Sequence, residues 1–269
     1  MKTDTELSIY KPCGPLRGYV RHYWVLRDSW QACALTFPTG SPQMLFHKRT
    51  PLFIPEISAE QSRLTISGQV NFPSHLSCRG DTEMIAVVFY PHTAGIFTGT
   101  PPSKFHNLEI SGYDLGDKDL ADLAARIFSC EDNNLCISFI ERWLLARLYG
   151  CGSLLDVRRI GHAVGRLMTS PQTTVTELAD LTCLSRKQFG RVFCSSVGMM
   201  PKEYTRIVRF QKSLWMMQQG QRDYVRIAHG CGYSDQSHFI REFRKFSGHT
   251  PVTIFRECIP YSDLFTSLA

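Results

Sequence analysis

At 269 residues, with 43% hydrophobic and 20% charged side chains, the chain is long for one domain and comfortable for two, and its composition excludes a disordered or fibrous protein. The longest apolar run, residues 84–90, is far too short to span a bilayer, and the N-terminal MKTDTELSIYKPC lacks the apolar segment of a secretory signal. No membrane partner is therefore expected, and the cytoplasm is the expected location. Charge is uneven. Residues 153–269 hold 16 Lys/Arg against 9 Asp/Glu, whereas residues 1–152 carry a net −1, the pattern of a C-terminal half that meets phosphate.

The ten cysteines show no CxxC pair and no zinc-type Cys/His spacing. In a reducing compartment they read as small buried hydrophobes and free thiols, and no cofactor or metal is expected.

Residues 19–26 (YVRHYWVL), 35–37, 44–47, 64–66 and 85–90 (IAVVFY) are β-type runs. They are broken by Pro38-Thr39-Gly40-Ser41-Pro42, Pro51, Gly68, Arg79-Gly80-Asp81 and Pro91. Such spacing predicts an antiparallel sandwich or small barrel. Its aromatic residues Tyr19, Tyr23, Trp24, Phe37, Phe46, Phe89 and Phe97 either fill the interior or line a ligand pocket. His22, His47, His75, His92 and His106 are scattered, with neither metal-ligand spacing nor a nucleophile–base arrangement beside them.

Two helices follow. Leu120, Leu123, Ala124, Ile127 and Phe128 recur at helical spacing behind a cap at Asp117 or Asp119. Ile137, Ile140, Leu144 and Leu148 form a second stripe, broadened by Trp143 and Leu145. These stripes either pack on the β-domain or seal a homodimer through the 120–148 helices. Gly150-Cys151-Gly152-Ser153 is the expected hinge, which divides the chain into 1–150 and 154–258.

A helix over 155–168, with Val157, Ile160, Val164 and Leu167 inward, opens the second half. Two capping boxes follow, Thr174-x-x-Glu177 and Ser185-x-x-Gln188. The first starts a short helix burying Val175, Leu178 and Ala179. The second starts a helix with Phe189, Val192 and Phe193 inward and Arg186, Lys187, Gly190 and Arg191 outward. Pro201 opens a linking helix that Gly220 stops. Asp223 caps a helix expected to bury Val225, Ile227 and Ala228. Gly232 turns the chain, and Ser234 or Asp235 caps a last helix with Phe239, Phe243 and Phe246 inward. Gln236, Ser237, His238 and Arg241 lie on its other side. Two short-helix, tight-turn, basic-helix units joined by a linker are two helix-turn-helix units.

This half resembles the DNA-binding domain of the AraC/XylS family of bacterial transcription regulators. The motif residues are Ile227-Ala228, Gly232-Tyr233, Asp235-Gln236-Ser237-His238-Phe239, Arg241, Phe243-Arg244-Lys245-Phe246, Gly248 and Thr250-Pro251. From the first unit come Leu178-Ala179, Leu184-Ser185, Phe189, Arg191, Phe193, Gly198, Pro201 and Tyr204. The likeness spans about 100 residues. More weakly, Tyr10-x-Pro12, Leu16, Tyr19-Val20, Trp24, Gly68 and Phe89-Tyr90-Pro91 resemble the metal-free, cupin-like domain often fused to such readers.

The resemblance implies a two-domain α+β protein, a cupin-like barrel or sandwich with two helices followed by an all-α reader. It implies base contacts at the positions of Lys187, Gly190, Arg191, Gln236, Ser237 and Arg241. Gly190, having no side chain, departs from that pattern. By side-chain chemistry Arg191 and Arg241 suit guanine and Gln236 suits adenine, with His238 beside them, and Lys187 can reach a base or a phosphate. Arg186, Arg209, Arg244 and Lys245 suit phosphates. Cys183 stands in the turn where Gly232 stands in the second unit, so strain is expected there. The expected partners are double-stranded promoter DNA, RNA polymerase and a small-molecule effector, with nucleoid association when DNA is bound. Competing readings are a metabolite-acting cupin-type enzyme with a DNA-binding tail and an architectural DNA binder without effector.

Overall fold

The computed structural model describes residues 6–28, 33–78 and 80–256. Residues 1–5, Arg79 of the expected Arg79-Gly80-Asp81 turn and residues 257–258 of the expected reader lie outside them.

Among the described residues, the strands of the N-terminal half are β1 (Glu6–Tyr10), β2 (Val20–Asp28), β3 (Cys33–Thr36), β4 (Gln43–His47), β5 (Phe53–Ile54), β6 (Ala59–Glu60), β7 (Leu64–Ser67), β8 (Ser74–Ser77), β9 (Thr82–Phe89) and β10 (Glu109–Ser111). They form two antiparallel sheets, of order β1-β2-β9-β4-β7-β10 and β3-β8-β5-β6. The sheets face each other as an open sandwich, so of the two expected architectures the closed barrel is not realised. Strands β4 and β9 are buried along their whole length, because the large sheet is covered on both faces. Alternation then decides what each face meets. Met44, Phe46, Ile85, Val87 and Phe89 join Tyr23 in a core beneath two helices, α2 (Lys118–Phe128) and α3 (Asn133–Gly150). Leu45, Met84, Ala86, Val88 and Trp24 face the small sheet.

The helix stripes behave as the periodicity predicts. Leu120, Leu123, Ala124 and Ile127 of α2 and Ile137, Ile140, Leu144 and Leu148 of α3 are buried on the sheet. Asp117, rather than Asp119, caps α2 by accepting the Leu120 N–H at 3.1 Å. A five-residue helix, α1 (Ala94–Thr98), sits at the end of β9. Strands β5, β6 and β10 are too short to carry a hydrophobic pattern, β8 is mostly polar, and β1 is a half-exposed edge strand.

Among the described residues, the helices of the C-terminal half are α4 (Leu155–Thr169), α5 (Val175–Leu181), α6 (Arg186–Val197), α7 (Pro201–Gln218), α8 (Tyr224–Cys231), α9 (Gln236–Ser247) and α10 (Pro251–Arg256). They enclose one core, in which Phe210 of α7 touches Phe243 and Phe246 of α9 at ring-centroid distances of 5.2 and 5.4 Å.

Two expectations about side chains are corrected. Phe37 does not fill the sandwich alone. With Leu35 it belongs to the helical core, its ring edge-on to Phe210 at 5.7 Å. Apolar character marks a residue as buried without saying in which half. Val225 is 50% exposed, and Tyr224 packs on the core in its place. The cap at Asp223 starts α8 one residue earlier in phase than an inward Val225 requires. Among the described residues no helix is long and apolar enough to cross a membrane.

Candidate nucleic-acid interface

Both expected capping boxes form, and they fix the start of each helix in the first unit. Thr174 Oγ1 accepts the Glu177 N–H at 3.2 Å while Glu177 accepts the Thr174 N–H at 2.7 Å. Ser185 Oγ accepts the Gln188 N–H at 3.3 Å, and Gln188 Oε1 accepts the Ser185 N–H at 3.4 Å. Two orphan donors per helix are satisfied in this way. In the second unit Asp235, rather than Ser234, caps α9 by accepting the His238 N–H at 2.7 Å. That backbone hydrogen bond, with one from the Ser234 hydroxyl, holds the Asp235 carboxyl below its ordinary range.

With these starts fixed, each reading helix buries one side and offers the other. On α6, Phe189, Phe193 and Val197 are buried, whereas Arg186, Lys187 and Arg191 are exposed. Lys187 and Arg191 stand four residues apart, hence one above the other on the helix. On α9, Phe239, Phe243 and Phe246 are buried and Gln236, Ser237, Arg241, Arg244 and Lys245 are exposed. Helix α6 contains no acidic residue, and Glu242, the acidic residue of α9, is buried. Each solvent face is thus cationic without a competing carboxylate of its own helix. Gly190 is open: a β-carbon there would meet only the Met200 methyl, at 3.8 Å.

Two of the expected contact residues are more restrained. His238 is half-buried, its ring edge-on to Tyr233 at 5.3 Å and its Nδ1 3.1 Å from the Ser234 hydroxyl. Arg209 of α7 is half-buried and donates Nε and Nη2 to the Pro171 carbonyl at 3.2 and 3.0 Å. It therefore ties the linker helix to the loop before α5.

The turns differ as expected. Gly232 adopts φ +80°, and Cys183 takes the equivalent left-handed place at φ +53° with its side chain exposed. A residue with a β-carbon is strained there by about 1 kcal/mol.

One functional pair escapes sequence reasoning. Arg206 on α7 grips Glu242 on α9 through Nε and Nη2, the latter at 2.8 Å. This fork-to-fork pair sets the angle of the second reading helix on the linker. It spans 36 residues, so no helical spacing reveals it. Its cue is the acid itself, a lone carboxylate on the phenylalanine side of α9.

Comparison with known proteins follows this geometry. A family model described as a helix-turn-helix domain matches residues 178–257, and one described as a domain of unknown function (DUF6597) matches residues 8–111. An uncharacterised HTH-type transcriptional regulator of Haemophilus influenzae is 26% identical over 206 residues, 69% of this chain and 67% of the relative. The HTH-type transcriptional regulator ArgR of Pseudomonas aeruginosa is 32% identical over 78 residues, covering 29% of this chain and 24% of ArgR. RhaS of Pectobacterium carotovorum, an HTH-type transcriptional activator, is 32% identical over 77 residues, covering 29% of this chain and 28% of RhaS. Apart from the Haemophilus protein, the chain thus spans about a quarter of the length of these relatives. Among solved structures, ToxT of Vibrio cholerae aligns over 98% of this chain and 99% of its own at 12% identity and a TM-score of 0.45.

Proposed function

The chain belongs to the AraC/XylS family of DNA-binding transcription regulators, and from that premise we propose how it reads DNA and how reading is controlled. Each protomer lays α6 and α9 into successive major-groove segments of one duplex face, about one turn or ~34 Å apart. Lys187 and Arg191 read one segment. Gln236, Ser237 and Arg241 read the other, with His238 contributing through its Nε2. Arg186, Arg244 and Lys245 bind phosphates and position the helices without specifying sequence. Arg209 serves more by holding the loop before α5 than by reaching a phosphate, since two of its nitrogens are engaged with Pro171. The single observation that carries this reading is the pair of capped helices with buried phenylalanine sides and acid-free, cationic solvent faces.

Residues 1–150 act as the regulatory part and 154–258 as the reader. Coupling between them runs in part through the loop after β3. Phe37 packs on Phe210, the Pro38 carbonyl accepts from Gln211, and Gly40 lies against Tyr204 and Ile207 of α7. A small-molecule effector in the N-terminal half would act through this loop. Homodimerisation through the outer face of α3, where Leu135 and Tyr149 are exposed, and contact with RNA polymerase complete the proposal, in a protein of the cytoplasm that joins the nucleoid when DNA-bound. The protein acts as a regulator and not as an enzyme.

Binding to a site selected from random duplexes tests the reader. The logarithm of affinity should fall linearly with the logarithm of salt concentration. Arg244→Ala should lower affinity for all duplexes alike and reduce the salt slope by about 1. A salt-independent affinity, or a change in sequence preference from Arg244→Ala, contradicts the assignment.

A further inference from the structure

Between the two sheets lies a cavity of about 60 Å³. That volume corresponds to roughly four to six water molecules, or a ligand of a few heavy atoms. Its walls include Leu45, Leu52 and Met84, as a sandwich interior should. Its polar lining does not follow from folding. Gln43, Gln61 and Gln69 all line it, at 6%, 6% and 1% exposure, and the side-chain oxygen of each is buried without a hydrogen-bond partner.

The orientation of two of these amides is set by their own hydrogen bonds. Gln61 donates Nε2 to Glu109 Oε2 at 3.2 Å, and Gln69 donates Nε2 to the Gly40 carbonyl at 2.9 Å. Both partners are acceptors, so flipping either amide would place oxygen against oxygen. The Gln61 and Gln69 oxygens are therefore acceptors in search of donors. An unsatisfied buried polar atom costs about 1–3 kcal/mol, and three facing one cavity are hard to explain by packing.

The acid on the wall is Glu109, whose carboxylate also accepts from Ser67 Oγ at 2.8 Å. Among the described residues no Lys, Arg or His lines the cavity. His47, farther along the same face of β4, is fully buried, and burial pushes its pKa down to about 4, so it adds no positive charge at neutral pH. A carboxylate ligand would oppose the ionised form of Glu109, which burial already disfavours, and would meet the acceptor oxygens of Gln61 and Gln69. A ligand rich in N–H donors and carrying a positive charge satisfies the Gln61 and Gln69 oxygens and favours the ionised form of Glu109.

We propose that the inter-sheet cavity binds a small organic cation, an ammonium on a short carbon chain, with its charged head on the Glu109–Gln61 pair and its donors reaching the free glutamine oxygens. The proposal rests on the reading of the N-terminal half as regulatory. The same cavity is lined by Phe37, Thr39 and Ser41 of the loop that holds α7, and Gln69 is bonded to Gly40 of that loop. Filling the cavity therefore bears on one of the segments through which the halves touch.

The test uses the full chain and a size-matched series of n-butylammonium, n-butanol and butyrate at equal ionic strength, read by thermal unfolding and by DNA affinity. At tenfold over its Kd, n-butylammonium should raise the midpoint by roughly 3 °C. Butanol should act less, and butyrate not at all. Glu109→Gln should remove the preference for the cation, and Gln61→Leu should weaken it independently. Stabilisation by butyrate equal to that by butylammonium, or the same response in wild type and Glu109→Gln, overturns the proposal. So does a shift with no member of the series. A midpoint shift that leaves DNA affinity unchanged keeps this site and overturns the regulatory reading. DNA affinity that responds to small molecules of a cell extract, while butylammonium shifts nothing, keeps that reading and overturns this ligand class.

Discussion

Glu109 is placed where a carboxylate is costly. Burial raises its pKa from the ordinary 4.5 to about 7, opposed in part by hydrogen bonds from Ser67 and Gln61. The folded state therefore holds a proton that the unfolded chain releases near pH 4.5. Stability from this group is present in full below that value and is lost as the pH rises through about 7. Against a Glu109→Gln variant, wild type should lose stability between pH 5 and pH 8 in denaturant melts, with the difference confined to that window. Parallel curves would contradict the burial argument. Cys183 offers a second check at this scale. At φ +53° a β-carbon is strained, and a β-branched one more so. Cys183→Val should destabilise the protein by about 1 kcal/mol, whereas Cys183→Gly should be neutral or stabilising. Equal effects of the two would mean that the turn relaxes. The strain at Cys183 was legible in the sequence, because the two units could be laid over each other. The chemistry of Glu109 was not, because a Glu in a short strand gives no sign of what its side chain faces.

The helices carry the most readable information. Capping boxes at Thr174 and Ser185, Pro201 at the start of α7 and the phenylalanine spacing of α9 are local signals, and each is realised as hydrogen bonds or burial. Boundaries follow because caps and periodicity act within a few residues. What the pattern misses is non-local. The Arg206–Glu242 pair joins two helices 36 residues apart and is largely shielded on the Glu242 side, at 12% exposure. Removing one partner leaves the other uncompensated, whereas replacing both removes the problem. Arg206→Met and Glu242→Leu should each cost about 2 kcal/mol, and the double variant should recover most of that loss. Additive losses in the cycle would show that the pair does not act as a unit. DNA affinity of the single variants should fall at the half-site read by α9 before that read by α6.

At the scale of the molecule, the sequence reads as a β-rich half and a helical half, and it treats the connection as a hinge at residues 150–153. The structure adds a second connection. The loop after β3 sends Phe37 into the helical core, and Asn71 and His106 meet Glu203 of α7 beside it. Contacts of this kind depend on how two cores stack, and hydrophobic pattern is blind to that. The helical half is thus held by the β-rich half along α7, the helix that joins α6 to the second helix-turn-helix unit. It is this join that makes the central claim testable.

The most direct measurement is site selection from random duplexes by the full chain, repeated with Arg191→Ala and with Arg241→Ala. Two blocks of sequence preference about one helical turn apart are expected, unlike each other because the two reading helices differ. Arg191→Ala should erase preference at a base step in one block and Arg241→Ala in the other, each at a cost of about 1–3 kcal/mol. A single block, or loss from the same block in both variants, would contradict a reader that uses both helices.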